Sequence, residues 1–232
     1  MTIYYHGTPI TPRVELLKMA GRNFCVSFAW PYDIDVCLTI GQSVLMDNGA
    51  FSAFTKGKSI NEKGLYEWLE PRLRHPHKAI VLDVINGDVD QQRSARKRWP
   101  FPKELSWAVW HLDKPISYLQ EIVDDDGAVC FGSSGEYWQI GTEKWVRRMD
   151  EAFTILSKMK TMPWVHGLRM SAQAGDWPLA SVDSTNVARN HNGSKSSPPK
   201  DVIKMAQRIE SVHQPRTWSP QNLQLMLSLS GD

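Results

Sequence analysis

Short β-rich apolar runs alternate with amphipathic stretches from one end of the chain to the other. That alternation predicts parallel βαβ units rather than a sandwich or a helical bundle. Eight strands are expected: Ile3 to Tyr5, Phe24 to Ala29, Val44 to Met46, Ala79 to Val84, Trp107 to Leu112, Ala128 to Phe131, Trp164 to Met170 and Leu179 to Asp183. Pro12 starts a first helix in which Val14, Leu17 and Met19 lie near helical spacing. Further helices are expected over Asn61 to Leu73, Gln91 to Arg98, from Pro115 onward, over Glu143 to Lys160, and from about Lys200 to Val212. The units at strands two and seven look irregular, and the stretches 48–59 and 184–199 read as loops. Eight strands with intervening helices predict a closed (β/α)8 barrel of the TIM type, one domain over residues 1–232, in which the tail after Pro215 has no assigned place.

Composition narrows the class. The chain has 232 residues and 41% hydrophobic content, enough for one substantial core. Its longest apolar runs, such as Ala79 to Leu82, fall far short of the ~20 residues of a membrane span. The N-terminus lacks a basic region followed by an apolar stretch, so a soluble, cytoplasmic protein is expected, in the host cytoplasm if the gene is carried by a phage. Cys25, Cys37 and Cys130 are too scattered for a disulfide framework and are expected as reduced core thiols. Net charge is only +2, but Arg93, Arg96, Lys97 and Arg98 crowd one stretch, with Trp99 and Lys103 close behind. Such a cluster is either a solvated helix face or a phosphate-contacting patch.

In barrels of this kind chemistry sits at the C-terminal strand ends. The polar residues that end apolar runs are His6, Asp47, Asp83, His111, the 132–136 loop, His166 and Asp183. A single strand-end carboxylate commonly caps the next helix. Three converging on one mouth repel and raise one another's pKa, a cost usually retained for function. Two such carboxylates suit nucleophile and general acid/base at an acetal-like carbon, as in glycosidic bond exchange.

The ordered motifs resemble the tRNA-guanine transglycosylases and, most closely, their compact phage-type relatives that place 7-deazaguanine bases in DNA. Met46-Asp47-Asn48-Gly49-Ala50-Phe51-Ser52 is similar to the family's T-D-S-G-G-F/Y-Q loop, which implies Asp47 as acid/base and Phe51 as the ring that stacks on the base. Asp83 stands at the family's strand-terminal Asp, which accepts from a guanine-type edge. His111 takes the place of a base-reading Gln, and its use is either base contact or structural. Phe131-Gly132-Ser133-Ser134-Gly135-Glu136 resembles the G-G-L-A-V-G-E loop, shortened by one residue, implying close approach of Gly132 and Ser133 to the base. Val182-Asp183-Ser184 through Ala188-Arg189-Asn190-His191-Asn192-Gly193 looks like the family's nucleophile segment, which implies Asp183 as the nucleophile, Arg189 on backbone phosphate and Asn190 positioning the loop.

The resemblance spans roughly residues 44 to 193 and carries implications. Guanine in DNA would be exchanged for a free 7-deazaguanine base, such as 7-cyano-7-deazaguanine, through an aspartyl-glycosyl intermediate, without a cofactor. Arg93, Arg96, Lys97, Arg98 and Arg189 would hold the strand, and DNA is the expected partner, with tRNA as the alternative. The C-x-C-x-x-C zinc cluster of the tRNA enzymes has no counterpart in this sequence, so no metal is expected. His6, on strand one, either touches substrate or orients its loop. Two other activities remain open: hydrolysis of the intermediate, and a barrel that binds nucleic acid through its basic patch and ten tryptophans without catalysis.

Overall fold

The computed structural model describes residues 1–194 and 196–221; residue 195 and the end of the tail, 222–232, lie outside the described residues. Eight strands close into an all-parallel barrel in sequence order: β1 (Ile3–Gly7), β2 (Asn23–Ser27), β3 (Val44–Asp47), β4 (Lys78–Ile80), β5 (Ser106–His111), β6 (Ala128–Gly132), β7 (Trp164–Gly167) and β8 (Ser181–Ser184). Closure is made by β1 against β8, with Tyr5 level with Asp183. This is the (β/α)8 barrel that the alternation predicts.

Nine α-helices are described. α1 (Arg13–Lys18), α2 (Ile34–Ile40), α3 (Ala50–Thr55), α4 (Glu62–Leu69), α5 (Val89–Arg98), α6 (Ile116–Asp126), α7 (Glu143–Leu156), α8 (Asn186–Asn190) and α9 (Val202–Glu210) follow in chain order. Local chemistry sets several boundaries. Asp88 and Gln91 form a reciprocal capping box that opens α5 two residues before the expected start. Asn61 caps α4 through the Gly64 amide, and Asp201 caps α9 through the Ile203 and Lys204 amides.

Two short helices fall inside the expected loops: α3 within 48–59 and α8 within 184–199. The second unit, irregular in sequence, contains α2, whose Ile, Val and Thr are poor helix formers. Ile34 and Cys37 supply its buried face. In the seventh unit only a single 3-10 turn, Ser171–Gln173, links β7 to β8.

Strand four is shorter than expected because side chains replace its ladder. Gln92 of α5 donates to the Val84 carbonyl and accepts from the Val84 amide, while Asn48 donates to the Val81 carbonyl. The Val81 amide still donates to the Trp107 carbonyl, so the backbone groups of Val81 and Val84 stay satisfied outside the sheet, and the segment between them carries Asp83 toward the mouth.

Inward-pointing Tyr5, Leu45, Ile80, Trp107, Val109 and Cys130 fill the barrel, and the two larger apolar clusters lie between strands and helices. Trp107 packs against both Trp164 and His166, with ring centroids 5.9 and 5.4 Å apart. The interior below the mouth is therefore a packed plug. Trp218 of the tail packs outside the barrel, on Phe153 of α7 in the layer between strands and helices. Among the described residues, no helix is long and apolar enough to cross a membrane.

Candidate active site

The period-two alternation of β3 turns Leu45 and Asp47 to the inside, and that of β8 does the same for Ser181 and Asp183. Asp83 joins them from the loop after β4. All three carboxylates meet at the C-terminal mouth, close enough that Asp183 and then Asp83 act electrostatically on Asp47. Burial is the larger influence on Asp47 and, with those two charges, raises its pKa from 3.8 to about 6 against hydrogen bonds from Ser27 and the Gly49 amide. Gly49 makes that turn possible: its φ of +77° is left-handed, and a Cβ there would lie 3.0 Å from the Ala29 nitrogen.

Asp183 is held differently. Its Oδ1 accepts the Arg169 amide at 2.8 Å, and Arg169 adopts a left-handed φ of 60°. His166 Nε2 lies 3.4 Å from the same oxygen. Below it, the Ser181 hydroxyl accepts from Trp164 Nε1 at 2.9 Å and sits 2.9 Å from His166 Nδ1. Among the described residues Asp183 Oδ2 accepts no hydrogen bond, while Oδ1 is held.

Asp83 is clamped on both oxygens. Asn48 Nδ2 donates to Oδ1 at 2.9 Å and His111 Nε2 meets Oδ2 at 2.8 Å. His111 is thus a partner of Asp83, which fixes its position. Gly132 keeps room for it, since a Cβ there would come within 3.2 Å of His111 Nδ1. A carboxylate has about four lone-pair directions, so two remain for donors from the mouth.

Phe51 stands on the rim, 45% exposed, with the Arg169 guanidinium stacked 3.9 Å from its ring centre. Ser133 is turned away from the mouth, its hydroxyl accepting from Trp145 Nε1 of α7. Arg189 lies exposed at the end of α8, and Asn190 donates to the Asn186 carbonyl and so closes that helical turn.

The basic stretch lies on the outer layer. Arg93 pairs with Glu121 and Asp90, and Arg96 with Asp125, Glu121 and Asp126, joining α5 to the acidic side of α6. The ion pairs give the cluster a structural purpose, with which any phosphate at Arg93 or Arg96 would compete. Lys97 is exposed. Arg98, 3.7 Å from Glu62, lines a cleft of about 260 Å³ that reaches Asp83 between Phe54, Lys58, Leu82 and Ile85. His6 points outward to Glu210 of α9 at 2.9 Å, and Arg22 meets the same carboxylate at 3.1 Å. It ties the barrel to its last helix.

Arg169, Asn48 and Ser27 belong to the site and were missed from sequence. Asn48 sits inside the quoted motif, so its position was available; Arg169 had no motif, only its place just past β7. Cys25 and Cys130 lie beneath the carboxylates. Burial and then the charge of Asp183 and other aspartates push both thiols up, so they remain neutral. Among the described residues no group of three or more His, Cys, Asp and Glu is arranged to hold a metal ion. Comparison of the chain with family models, with curated proteins and with solved structures returned no match.

Proposed function

We propose that this barrel is a base-exchange transglycosylase that replaces guanine in DNA with a free 7-deazaguanine base. The observation that carries the reading is the different environments of two facing carboxylates. Asp47 is half-buried, with a pKa of about 6, which suits proton transfer near neutral pH. Asp183 is fixed through one oxygen by the Arg169 amide, leaving the other for attack.

In the first half-reaction Asp183 Oδ2 bonds to the sugar C1′ as the C1′–N bond to guanine breaks. Protonated Asp47 delivers its proton to the departing base. In the second, the incoming base gives its ring N–H proton to Asp47, its nitrogen bonds to C1′, and the Asp183 ester bond breaks. The products are free guanine and a strand carrying the new base, and both aspartates return to their starting states. Asp83, preset by Asn48 and His111, offers its remaining lone pairs to the N–H donors of a guanine-type edge. Phe51 and the Arg169 guanidinium supply the stacking surface.

The intermediate provides the test. Acid quenching of enzyme with guanine-containing oligodeoxynucleotide, in the absence of incoming base, is expected to leave a fraction of the protein heavier by the strand lacking one guanine, with the mass on the peptide carrying Asp183. No adduct in the wild type, or an adduct that persists in Asp183→Ala, would remove the covalent mechanism.

A further inference from the structure

The rim beside the carboxylates has a second cleft that the base-exchange reading does not use. It lies on the other side of α3, encloses about 200 Å³, and is bordered by Phe28, Asn48, Ser52, Lys56, Lys58 and Asn61. Its lining includes no carboxylate, and the stretch 49–61 contains none either. Lys56 and Lys58 form no ion pair among the described residues, unlike Arg93 and Arg96 on α5. Lys56 instead stands 4.7 Å from the centre of the Trp30 ring. Trp30 is 49% exposed and Phe54, on α3, 48%. Trp138 and Trp164 are exposed as well, but Trp30 stands under an unpaired lysine at the edge of an acid-free cleft, and that combination is a placed feature.

We propose that this cleft is a subsite for a nucleotide flanking the reacting one in an unpaired polynucleotide, its base stacked on Trp30 and its phosphate against Lys56 and Lys58. The proposal rests on the reading of the carboxylate mouth as acting on a nucleic acid. The chemistry at the cleft favours that occupant. Paired aromatic faces and cations are how single strands are bound without sequence preference, whereas an acidic peptide would use the lysines and make no use of the exposed indole face. A strand entering here passes α3 to reach Phe51 and the aspartates, which gives the bound polymer a direction across the mouth.

A fluorescent ten-residue oligothymidylate tests the subsite apart from the chemistry, because it contains no guanine to exchange. Anisotropy titration at low salt is expected to show binding that weakens with rising salt. Lys56→Gln with Lys58→Gln is expected to weaken it at least tenfold and to flatten the salt dependence, while Lys56→Arg retains it. Trp30→Ala is expected to cost about tenfold, the loss of one stacked base. Lys158→Gln, exposed just past the end of α7, serves as the unaffected control. All substituted residues are exposed, and an unchanged melting curve confirms that each variant is folded. Equal binding by wild type and the double variant, no binding by the wild type, or displacement by inorganic polyphosphate with no effect of Trp30→Ala would each overturn the subsite. Base exchange that fails while oligothymidylate binds in this pattern would leave the subsite standing and remove the catalytic reading.

Discussion

At Asp47 stability and reactivity pull in opposite directions. Its folded-state pKa of about 6 lies above the ordinary 3.8, so the folded chain favours the protonated form. That contribution is fully present below the unfolded value and is lost as pH rises through about 6, a difference of at most about 3 kcal/mol for this partly exposed group. Asp47→Asn is therefore expected to raise the melting temperature at pH 8 by several degrees and by clearly less at pH 4. The same substitution is expected to abolish the limb of the exchange profile that falls through about pH 6. An equal change in melting temperature at both pH values would mean that Asp47 is not a buried acid. Asp83→Ala is expected to destabilise the fold by roughly 1–3 kcal/mol, measured by urea unfolding, because the buried His111 and Asn48 nitrogens lose their acceptor. The positions of the aspartates were legible because each ends an apolar run. What each is bonded to was not, since Asn48 to Asp83 and Arg169 to Asp183 span 35 and 14 residues.

At the scale of elements, side chains do work that the ladder abandons. Gln92 reaches from α5 to both backbone groups of Val84 and so holds the loop that carries Asp83. Gln92→Ala is expected to cost roughly 1–3 kcal/mol of unfolding free energy and to weaken base exchange with it; stability and activity both unchanged would show that the loop is held by other means. α5 itself is an outer helix bound by ion pairs to α6, so Arg96→Ala is expected to leave oligonucleotide affinity unchanged, and a tenfold loss would return that helix to the binding surface. Periodicity made the long helices readable, because α6 and α7 bury regular apolar faces. It failed for α2, α3 and α8, which have five to seven residues each. Helices this short are fixed by tertiary contacts and their turns rather than by propensity. The ends of β2, β4 and β7 were overextended for a related reason: apolar residues continue after the hydrogen-bond ladder has turned away.

For the whole molecule, the alternation of strands and helices was sufficient to anticipate closure, since a right-handed succession of eight parallel units returns β8 to β1. Closure is what brings Asp47, Asp83 and Asp183 together from distant parts of the chain, and it places Trp30, Phe51 and Phe54 on the same rim. The barrel geometry by itself is compatible with many chemistries, and the proposed base exchange is distinguished from them by incorporation of a new base into a polynucleotide. The most direct measurement is incubation of the protein with guanine-containing single-stranded DNA, duplex DNA and tRNA, each with radiolabelled 7-cyano-7-deazaguanine, followed by counting label retained in the polymer. Incorporation into DNA that Asp183→Ala abolishes is the predicted result, and absence of label from DNA under conditions where the protein is folded and binds the strand would contradict it.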